Sequence, residues 1–213
     1  MYCPDSFSEK RPEIIQEMIR SHPLATIVSM GNDGLEANHI PLYLTFGQES
    51  QIVLQGHVAR ANPLWREGYL RSDVLVIFQG PQHYISPSWY ITKAETGKVV
   101  PTWNYTIVHA YGELKVKDNP EWIRQQMVAM TDQQEQNFPH PWHVDDAPPE
   151  FTEQVIKQVV GIEIFVTRWM GKWKVSQNQS AGNRDSVNKN LRLQNQPDSA
   201  AMSQCILSAC RND

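Results

Sequence analysis

The chain has 213 residues, 40% of them hydrophobic and 20% charged, with a formal net charge of -4 at pH 7. This length fits one main domain, and the composition is typical of a globular protein rather than a disordered one. The apolar runs are shorter than the ~20 residues of a membrane span, and the negative charge disfavours nucleic-acid binding by this chain alone. The first residues lack a secretory signal and the three cysteines are too few for a disulfide framework, so we expect a soluble, cytoplasmic protein.

The first part of the chain is predicted to contain one helix followed by short strands. In chain order, hydrophobic periodicity predicts a helix over residues 8–20 and strands over residues 24–30, 35–46, 51–58 and 73–79. Ser8 is the predicted helix cap, and the turn from Gly31 to Gly34 joins the first two strands as a hairpin. Asn62 before Pro63 is typical of the first residues of a helix, which we expect after the third strand.

The second part of the chain is predicted to contain two long strands among several helices. In chain order, these are a strand over residues 82–86, a loop over 87–100, a strand over 102–117, helices over 119–136 and 151–158, a strand over 159–169 and two tail helices after residue 177. Because strand side chains alternate, the strand over 102–117 should carry rings on one face. That face is predicted to hold Trp103, Tyr105, Ile107, His109 and Tyr111.

Four short blocks concentrate His, Trp, Tyr, Asn, Gly and Pro. They cover residues 37–41, 56–63, 78–90 and 100–105. Polar residues in strands are costly to bury unless they are hydrogen-bonded, so the blocks suggest a planar, polar ligand lying across a sheet. A further stretch from Arg168 to Lys174 interleaves three cations with two tryptophans. It could stack on bases or seat an anionic cofactor, or it could be a strand end with solvated lysines.

With these blocks and residues 161–164 and 171–178, the chain resembles the PaiB family of FMN-binding negative transcriptional regulators over residues 1–191. The resemblance implies a mainly β, α+β fold, namely an FMN-binding split β-barrel with flanking helices over residues 1–176 and a helical tail over 177–213. It also implies a flavoprotein homodimer with FMN at the dimer interface, and control of sporulation and degradative enzymes. We find no helix-turn-helix pattern that supports direct DNA binding.

FMN needs cations and backbone amides for its phosphate and hydrogen bonds for the polar edge of its ring. The predicted phosphate locus is the segment His57, Arg60, Ala61 and Asn62, because a guanidinium beside helix N-terminal amides forms an anion site. The alternative is that Arg60 is solvated and that His57 is a surface histidine whose hydrogen bonds are already satisfied.

Asn38 and His39, on the preceding hairpin arm, are the candidates for contacts to the ring edge. Fold relatives contact the flavin there through main chain and a polar side chain. The alternative is that Asn38 bonds only to the backbone of the barrel.

A second group of candidates comes from later in the chain. It consists of Trp89, Trp103, Asn104, Lys174, Ser176 and Gln177. The tryptophans or Asn104 could cover a face of the ring, although aromatic residues on strands are more often core. Lys174 and its neighbours resemble in position the C-terminal segment that reaches the cofactor in pyridoxamine-phosphate oxidases. A lysine in place of their bidentate arginine argues against pyridoxal-phosphate synthesis.

The leading hypothesis is a regulator that senses flavin or redox state and runs no committed catalytic cycle. We assign no catalytic residue and no metal site, since His140 and His143 lack further ligands at a matching spacing. No nucleophile elbow, Walker or dinucleotide fingerprint occurs either. The alternatives are an FMN-dependent oxidoreductase using reduced nicotinamide, and a flavin-free module for another planar anion or haem.

Overall fold

The computed structural model describes residues 1–66 and 73–210, except for the side chain of the last of these. The strands are β1 (Ser8–Glu9), β2 (Leu24–Gly31), β3 (Gly34–Pro41), β4 (Tyr43–Phe46), β5 (Ile52–Ala59), β6 (Val74–Ile85), β7 (Thr102–Lys117) and β8 (Val159–Lys174). The helices are α1 (Pro12–Ser21), α2 (Thr92–Thr96), α3 (Pro120–Glu135), α4 (Pro149–Lys157), α5 (Ala181–Leu193) and α6 (Pro197–Cys210). The predicted mainly β class with flanking helices is confirmed.

The strands form one sheet in the order β3-β2-β6-β7-β8-β5-β4, and β1 pairs with β8. The pairings are antiparallel; in β2 and β3, for example, Ile27 is opposite Asn38, and in β5 and β8, His57 is opposite Gly161. Within the described residues β3 and β4 end the path, so the sheet is open there. No helix in this part of the chain is both long and apolar enough to span a bilayer.

The described chain separates into two compact units. The first unit contains Met1–Ile15, Gln79–Val108 and the described residues from Met170 onward. The second unit contains the described residues of Gln16–Phe78 together with His109–Trp169. The division into residues 1–176 and 177–213 made from the sequence stays a prediction.

The core of the first unit is built around the tail helices. Its buried cluster comprises Ile85, Tyr90, Val175, Val187, Leu191, Met202 and Ile206. Val187 and Leu191 come from α5, and Met202 and Ile206 come from α6, as the spacing of apolar residues in the tail predicts. The two predicted tail helices are therefore confirmed. They pack against Ile85 at the end of β6, Tyr90 after it, and Val175 directly after β8.

The core of the second unit lies on the buried faces of its strands. The fully buried side chains there include Ile27, Leu54, Val76, Phe78, Ile162 and Ile164. Burial of each such side chain contributes about 1.5 to 3 kcal/mol relative to its exposure to water.

The structure corrects the start of the first helix. Ser8 does not cap it, because Ser8 and Glu9 form β1 and pair with Lys172 and Gly171 of β8. The helix begins at Pro12. A proline suits the first helical turn because its missing N–H would have no partner there.

Three strand predictions also need correction. The arm expected over residues 35–46 is interrupted at Leu42, so that β3 pairs with β2 while β4 pairs with β5. The strand expected to end at residue 79 continues as β6 through Pro81. Since β2 pairs only with Leu75, Val76 and Ile77 of β6, the missing N–H of Pro81 breaks no hydrogen bond of that ladder. The strand expected over 159–169 extends to Lys174.

Other predicted elements differ in the length or type of their helices. Asn62 caps a helix with Pro63 at its first position, but this helix is a single 3-10 turn, Pro63–Trp65. The expected loop over residues 87–100 contains the 3-10 turn Pro87–Trp89 and the short helix α2. By contrast, β7 has the predicted bounds, and its odd-numbered residues form the more exposed face.

Candidate functional site

A cavity of about 150 Å³ lies in the first unit. Its walls come from the start of β7, the segment that follows β8 and the turn that follows β6. The lining residues are Tyr90, Val100, Thr102, Asn104, Lys174, Ser176, Asn178 and Gln179. Three of the residues predicted from the sequence, namely Asn104, Lys174 and Ser176, therefore meet in one place.

Asn104 and Ser176 form a buried polar pair in the wall of this cavity. Asn104 lies on the buried face of β7 and is 1% exposed, and Ser176 is 3% exposed. The Nδ2 atom of Asn104 donates a hydrogen bond to the Oγ atom of Ser176 at 2.9 Å. This bond offsets the cost of removing both groups from water.

Ser176 has an uncommon backbone conformation. Its φ is +66°, in the left-handed region that residues other than glycine seldom adopt. Such a conformation costs on the order of 1 to 3 kcal/mol and persists where the surroundings determine it. The strain, together with the bond to Asn104, indicates a serine whose position is fixed.

Lys174 brings a positive charge to the cavity. Its Nζ atom donates to Oγ1 of Thr102 and, at 2.6 Å, to the carbonyl oxygen of Trp103. Burial, and to a lesser extent the charge of Lys172, lowers the pKa of Lys174. The ammonium is therefore held at the start of β7 with hydrogen-bond capacity to spare.

Gln177 stabilises the turn after β8. Its Oε1 atom accepts a hydrogen bond from the amide of Val175 at 2.8 Å, and its Nε2 atom donates to the carbonyl oxygen of Trp173. Gln177 does not line the cavity. Its predicted contact with a ligand stays a prediction, and the observed bonds give it a structural role.

The two tryptophan candidates have different surroundings. Trp103, on the more exposed face of β7, is 54% exposed. Its ring meets Tyr84 edge to face, with centroids 6.0 Å apart. Trp89 packs against the core of the tail helices and has His83 at 6.0 Å. Trp103 therefore offers the more accessible surface for a planar ligand.

The remaining candidates lie in the second unit and bond to one another or to residues of neighbouring elements. Asn62 donates from Nδ2 to Oδ1 of Asn38 at 2.7 Å, and its own Oδ1 accepts from the amide of Leu64. His57 Nδ1 lies 2.7 Å from Oε1 of Gln126. His39 Nδ1 lies 3.1 Å from Oγ1 of Thr26 on the surface. Ala61 is exposed.

Arg60, the predicted phosphate ligand, has most of its guanidinium engaged. Its two terminal nitrogens donate to both oxygens of Asp118, at 2.9 and 2.6 Å. It also donates to the carbonyl oxygens of Lys157 and Val159, both at 3.0 Å. The bond to Arg60 holds the pKa of Asp118 below its usual value. These contacts tie the end of β5 to the start of β8.

The predicted phosphate locus thus lacks two of the features expected of it. The guanidinium is not free, and the turn after Asn62 is too short to give a helix N-terminus with several free amides. A role of His57, Arg60, Ala61 and Asn62 in binding stays a prediction, and this geometry does not favour it.

Sequence reasoning missed several residues of the cavity and its surroundings. Tyr90, Thr102, Asn178 and Gln179 line it without having been singled out. Tyr90 also belongs to the core of the tail helices, and no local pattern reveals that contact. Lys172, one of the three cations in the stretch from Arg168 to Lys174, is not among the residues that line the cavity.

Residues 1–168 match the family model described as "Putative FMN-binding domain". The chain belongs to this FMN-binding family. Among its curated relatives, the protease synthase and sporulation protein PAI 2 of Bacillus subtilis is 31% identical over 206 residues, which cover 97% of this chain and 96% of that protein. An uncharacterised protein of Emericella nidulans is 34% identical over 222 residues, covering 88% of each chain. The resemblance to the PaiB family and the cofactor FMN are thereby confirmed at the level of the family.

Solved structures of low sequence identity confirm the split-barrel fold of this FMN-binding family member. The FAD and heme binding protein from Mycobacterium smegmatis aligns with a TM-score of 0.56 and 14% identity, covering 78% of this chain and 73% of that one. The flavocytochrome Anf3 from Azotobacter vinelandii aligns with a TM-score of 0.54 and 12% identity, covering 78% and 69%.

Proposed function

We propose that the protein is a cytoplasmic, homodimeric FMN-binding regulator of the PaiB type, which responds to the presence or redox state of its flavin. The observation that carries this proposal is the cluster of Asn104, Lys174 and Ser176. It combines a cation, an amide and a hydroxyl in one cavity, and these groups suit the polar parts of FMN. When bound, FMN supplies reversible electron and hydride transfer.

The chemistry of the cavity favours binding over catalysis. No carboxylate, imidazole or thiol lines it among the described residues. Its titratable groups are Lys174, which donates to Thr102 and Trp103, and Tyr90, whose pKa is raised by burial. Histidine, the side chain that most often transfers protons in catalysis, is absent from the described lining. The protein residues would bind and orient the flavin while its oxidation state provides the signal.

The size of the cavity supports a dimer. Its volume of about 150 Å³ is below the ~300 to 1,000 Å³ of most small-molecule pockets. Trp103 also leaves a large aromatic surface exposed. A second chain would complete the pocket and cover that surface, in agreement with a cofactor at a dimer interface.

The name of the Bacillus subtilis relative supports a regulatory role in protease production and sporulation. The net charge of -4 disfavours DNA binding by this chain alone. We therefore propose control through a partner protein or through flavin availability, without direct contact to an operator.

The test is a titration of the purified chain with FMN, followed by absorbance and flavin fluorescence, with light scattering on the same sample. One FMN per chain in a dimer is the expected result. Absence of saturable binding would contradict the proposal. The same samples are then mixed with reduced nicotinamide and an electron acceptor, and sustained turnover would favour the oxidoreductase.

A further inference from the structure

A second cavity, of about 200 Å³, lies in the first unit between the N-terminal segment and α6. We call it the N-terminal cavity. Among the described residues it shares no lining residue with the cavity of Asn104 and Ser176. Trp173 lines the N-terminal cavity and Lys174 lines the other one. Because consecutive side chains of a strand point to opposite faces, the two cavities lie on opposite sides of the end of β8.

The volume of the N-terminal cavity suits a small organic molecule. A single water molecule needs only about 10 to 15 Å³ of accessible volume, so the cavity is much larger than a structural water requires. It is smaller than the ~300 to 1,000 Å³ of pockets for drug-sized ligands. We therefore expect an occupant of about one ring.

The described lining of this cavity carries no net charge. Glu9 and Arg11 are its only charged side chains. The carboxylate of Glu9 is 9% exposed, and it accepts hydrogen bonds from Nε and Nη2 of Arg11 at 2.9 and 2.5 Å. Burial raises the pKa of Cys205, so that its thiol is neutral too. A charged ligand would bring an uncompensated charge into this lining, so the site favours an uncharged one.

The polar part of the lining has hydrogen-bond donors to spare within the described residues. The guanidinium of Arg11 has five N–H groups and uses two of them on Glu9. The side-chain amide of Gln177 uses one of its two on the carbonyl oxygen of Trp173. These donors suit a carbonyl oxygen, and the hydroxyl oxygens of Ser6 and Ser8 can accept from an amide N–H.

The remaining part of the lining is apolar. It includes Phe7, Ile14, Trp173 and Ala209. Water against such side chains has few hydrogen-bond partners, and its displacement by an apolar group contributes to affinity. The cavity therefore matches a ligand with an apolar ring and one polar, uncharged end.

We propose that the N-terminal cavity binds a small uncharged amide of about one ring. The carbonyl oxygen of the ligand accepts from Arg11 and Gln177, and its ring lies against the apolar lining of Trp173 and Ile14. The site is separate from the proposed flavin site and does not depend on it. Since the lining comes from both β1 and α6, a bound ligand joins the N-terminal segment to the tail.

Cys205 provides the readout, because its thiol lines the cavity and a bound ligand should shield it. The probe is benzamide, and the protein is the full chain with Cys3→Ser and Cys210→Ser. The rate at which a maleimide alkylates Cys205 should fall saturably with benzamide, with half of the effect at roughly 1 to 10 mM for so small a ligand. Absence of protection would overturn the inference.

Benzoate is the matched control ligand, since it has nearly the same shape and carries a negative charge. It should require concentrations about tenfold higher for the same protection, because the lining offers no free counter-charge. Equal or better protection by benzoate would show an anion site and would overturn the inference.

Two variants locate the ligand. Ala209→Leu fills the cavity and should abolish the protection by benzamide, whereas Ala200→Leu, at an exposed residue of the same helix, should retain it. Arg11→Lys keeps the charge and loses the planar set of donors, so it should weaken the protection severalfold. Thermal denaturation checks that each variant is folded. Full protection in both Ala209→Leu and Arg11→Lys would place the ligand elsewhere and overturn the inference.

An FMN titration separates this inference from the proposed function. Benzamide should leave FMN affinity unchanged, and it should protect Cys205 even if the chain binds no FMN. Competition between benzamide and FMN would mean that the two ligands share one site, which contradicts a separate N-terminal site.

Discussion

Asn104 of β7 donates a hydrogen bond to Ser176 across 2.9 Å, although 72 positions separate the two residues in the chain. The bond joins the start of β7 to Ser176, the second residue after the end of β8. Both groups are buried, so the bond fixes the wall of the cavity and the direction of the chain after β8.

Asn104→Ala should lower the free energy of unfolding by about 1 to 3 kcal/mol, because it leaves the buried hydroxyl of Ser176 without its donor. It should also weaken FMN binding. Urea denaturation and an FMN titration measure the two effects. Asn137→Ala, at an exposed asparagine, is the matched control and should change neither. Equal stability of the two variants would show that the bond contributes nothing.

Ser176→Gly and Ser176→Ala should differ in stability although both lose the hydroxyl. Glycine adopts the φ of +66° without steric cost, whereas alanine keeps the Cβ that makes this region unfavourable. We expect Ser176→Gly to be the more stable variant by about 1 kcal/mol. Chemical denaturation of both variants gives the difference, and the reverse order would contradict the assigned strain.

Lys174 should make stability depend on pH in the alkaline range. Its folded pKa lies below the unfolded value of 10.5, so the unfolded chain binds more protons between the two values. The stability of the wild type should therefore rise with pH across this window relative to that of Lys174→Met. Denaturation midpoints measured from neutral pH to about pH 10 give the comparison. Parallel pH profiles would show that the lysine is not desolvated in the fold.

Asp118 should contribute stability that is lost in acid. Its folded pKa is held below the usual 3.8 by the bond to Arg60, so the contribution is present above the unfolded value and disappears as pH falls through the folded one. The wild type should lose stability relative to Asp118→Asn across that acid window. In a double-mutant cycle with Arg60→Ala, the two changes should be less than additive. Full additivity would mean that the pair is not formed in solution.

Gly112→Ala should be strongly destabilising. A Cβ at this position would lie 2.1 Å from the carbonyl oxygen of Phe165, a backbone atom that cannot move aside as the end of a side chain can. We expect a cost of about 3 kcal/mol, at the upper end for overpacking. Gly47→Ala is the control, because its added Cβ would meet a side-chain methyl of Val53 at 3.3 Å. Thermal denaturation ranks the two variants, and similar midpoints would contradict the close approach.

Elements with a long, regular pattern could be predicted from the sequence. The bounds of β7 are the predicted ones because buried and more exposed residues alternate along most of its length. The helix α3 begins directly after Asn119, the first residue of the predicted helix, whose side chain accepts a hydrogen bond from the amide of Trp122. Elements decided by pairing partners could not be predicted. The continuation of β6 through Pro81 and the break at Leu42 depend on which strand lies alongside, and no local signal records this.

In the candidate site, too, local motifs could be predicted from the sequence and contacts between distant residues could not. Asn104, Lys174 and Ser176 belong to motifs that could be recognised in the sequence. The engagement of Arg60 by Asp118 joins residues that are 58 positions apart, and only the fold reveals it. The burial of Lys172 likewise depends on Tyr2 at the beginning of the chain.

Tyr90 belongs both to the wall of the cavity and to the hydrophobic core of the tail helices. Val175 lies in that same core, and its neighbours Lys174 and Ser176 line the cavity. The tail is therefore part of the construction of the cavity, and a chain shortened before α5 would lose the support for one of its walls. Substitutions in the core that α5 and α6 form with Tyr90 and Val175 should therefore alter the cavity wall as well as the packing of the tail.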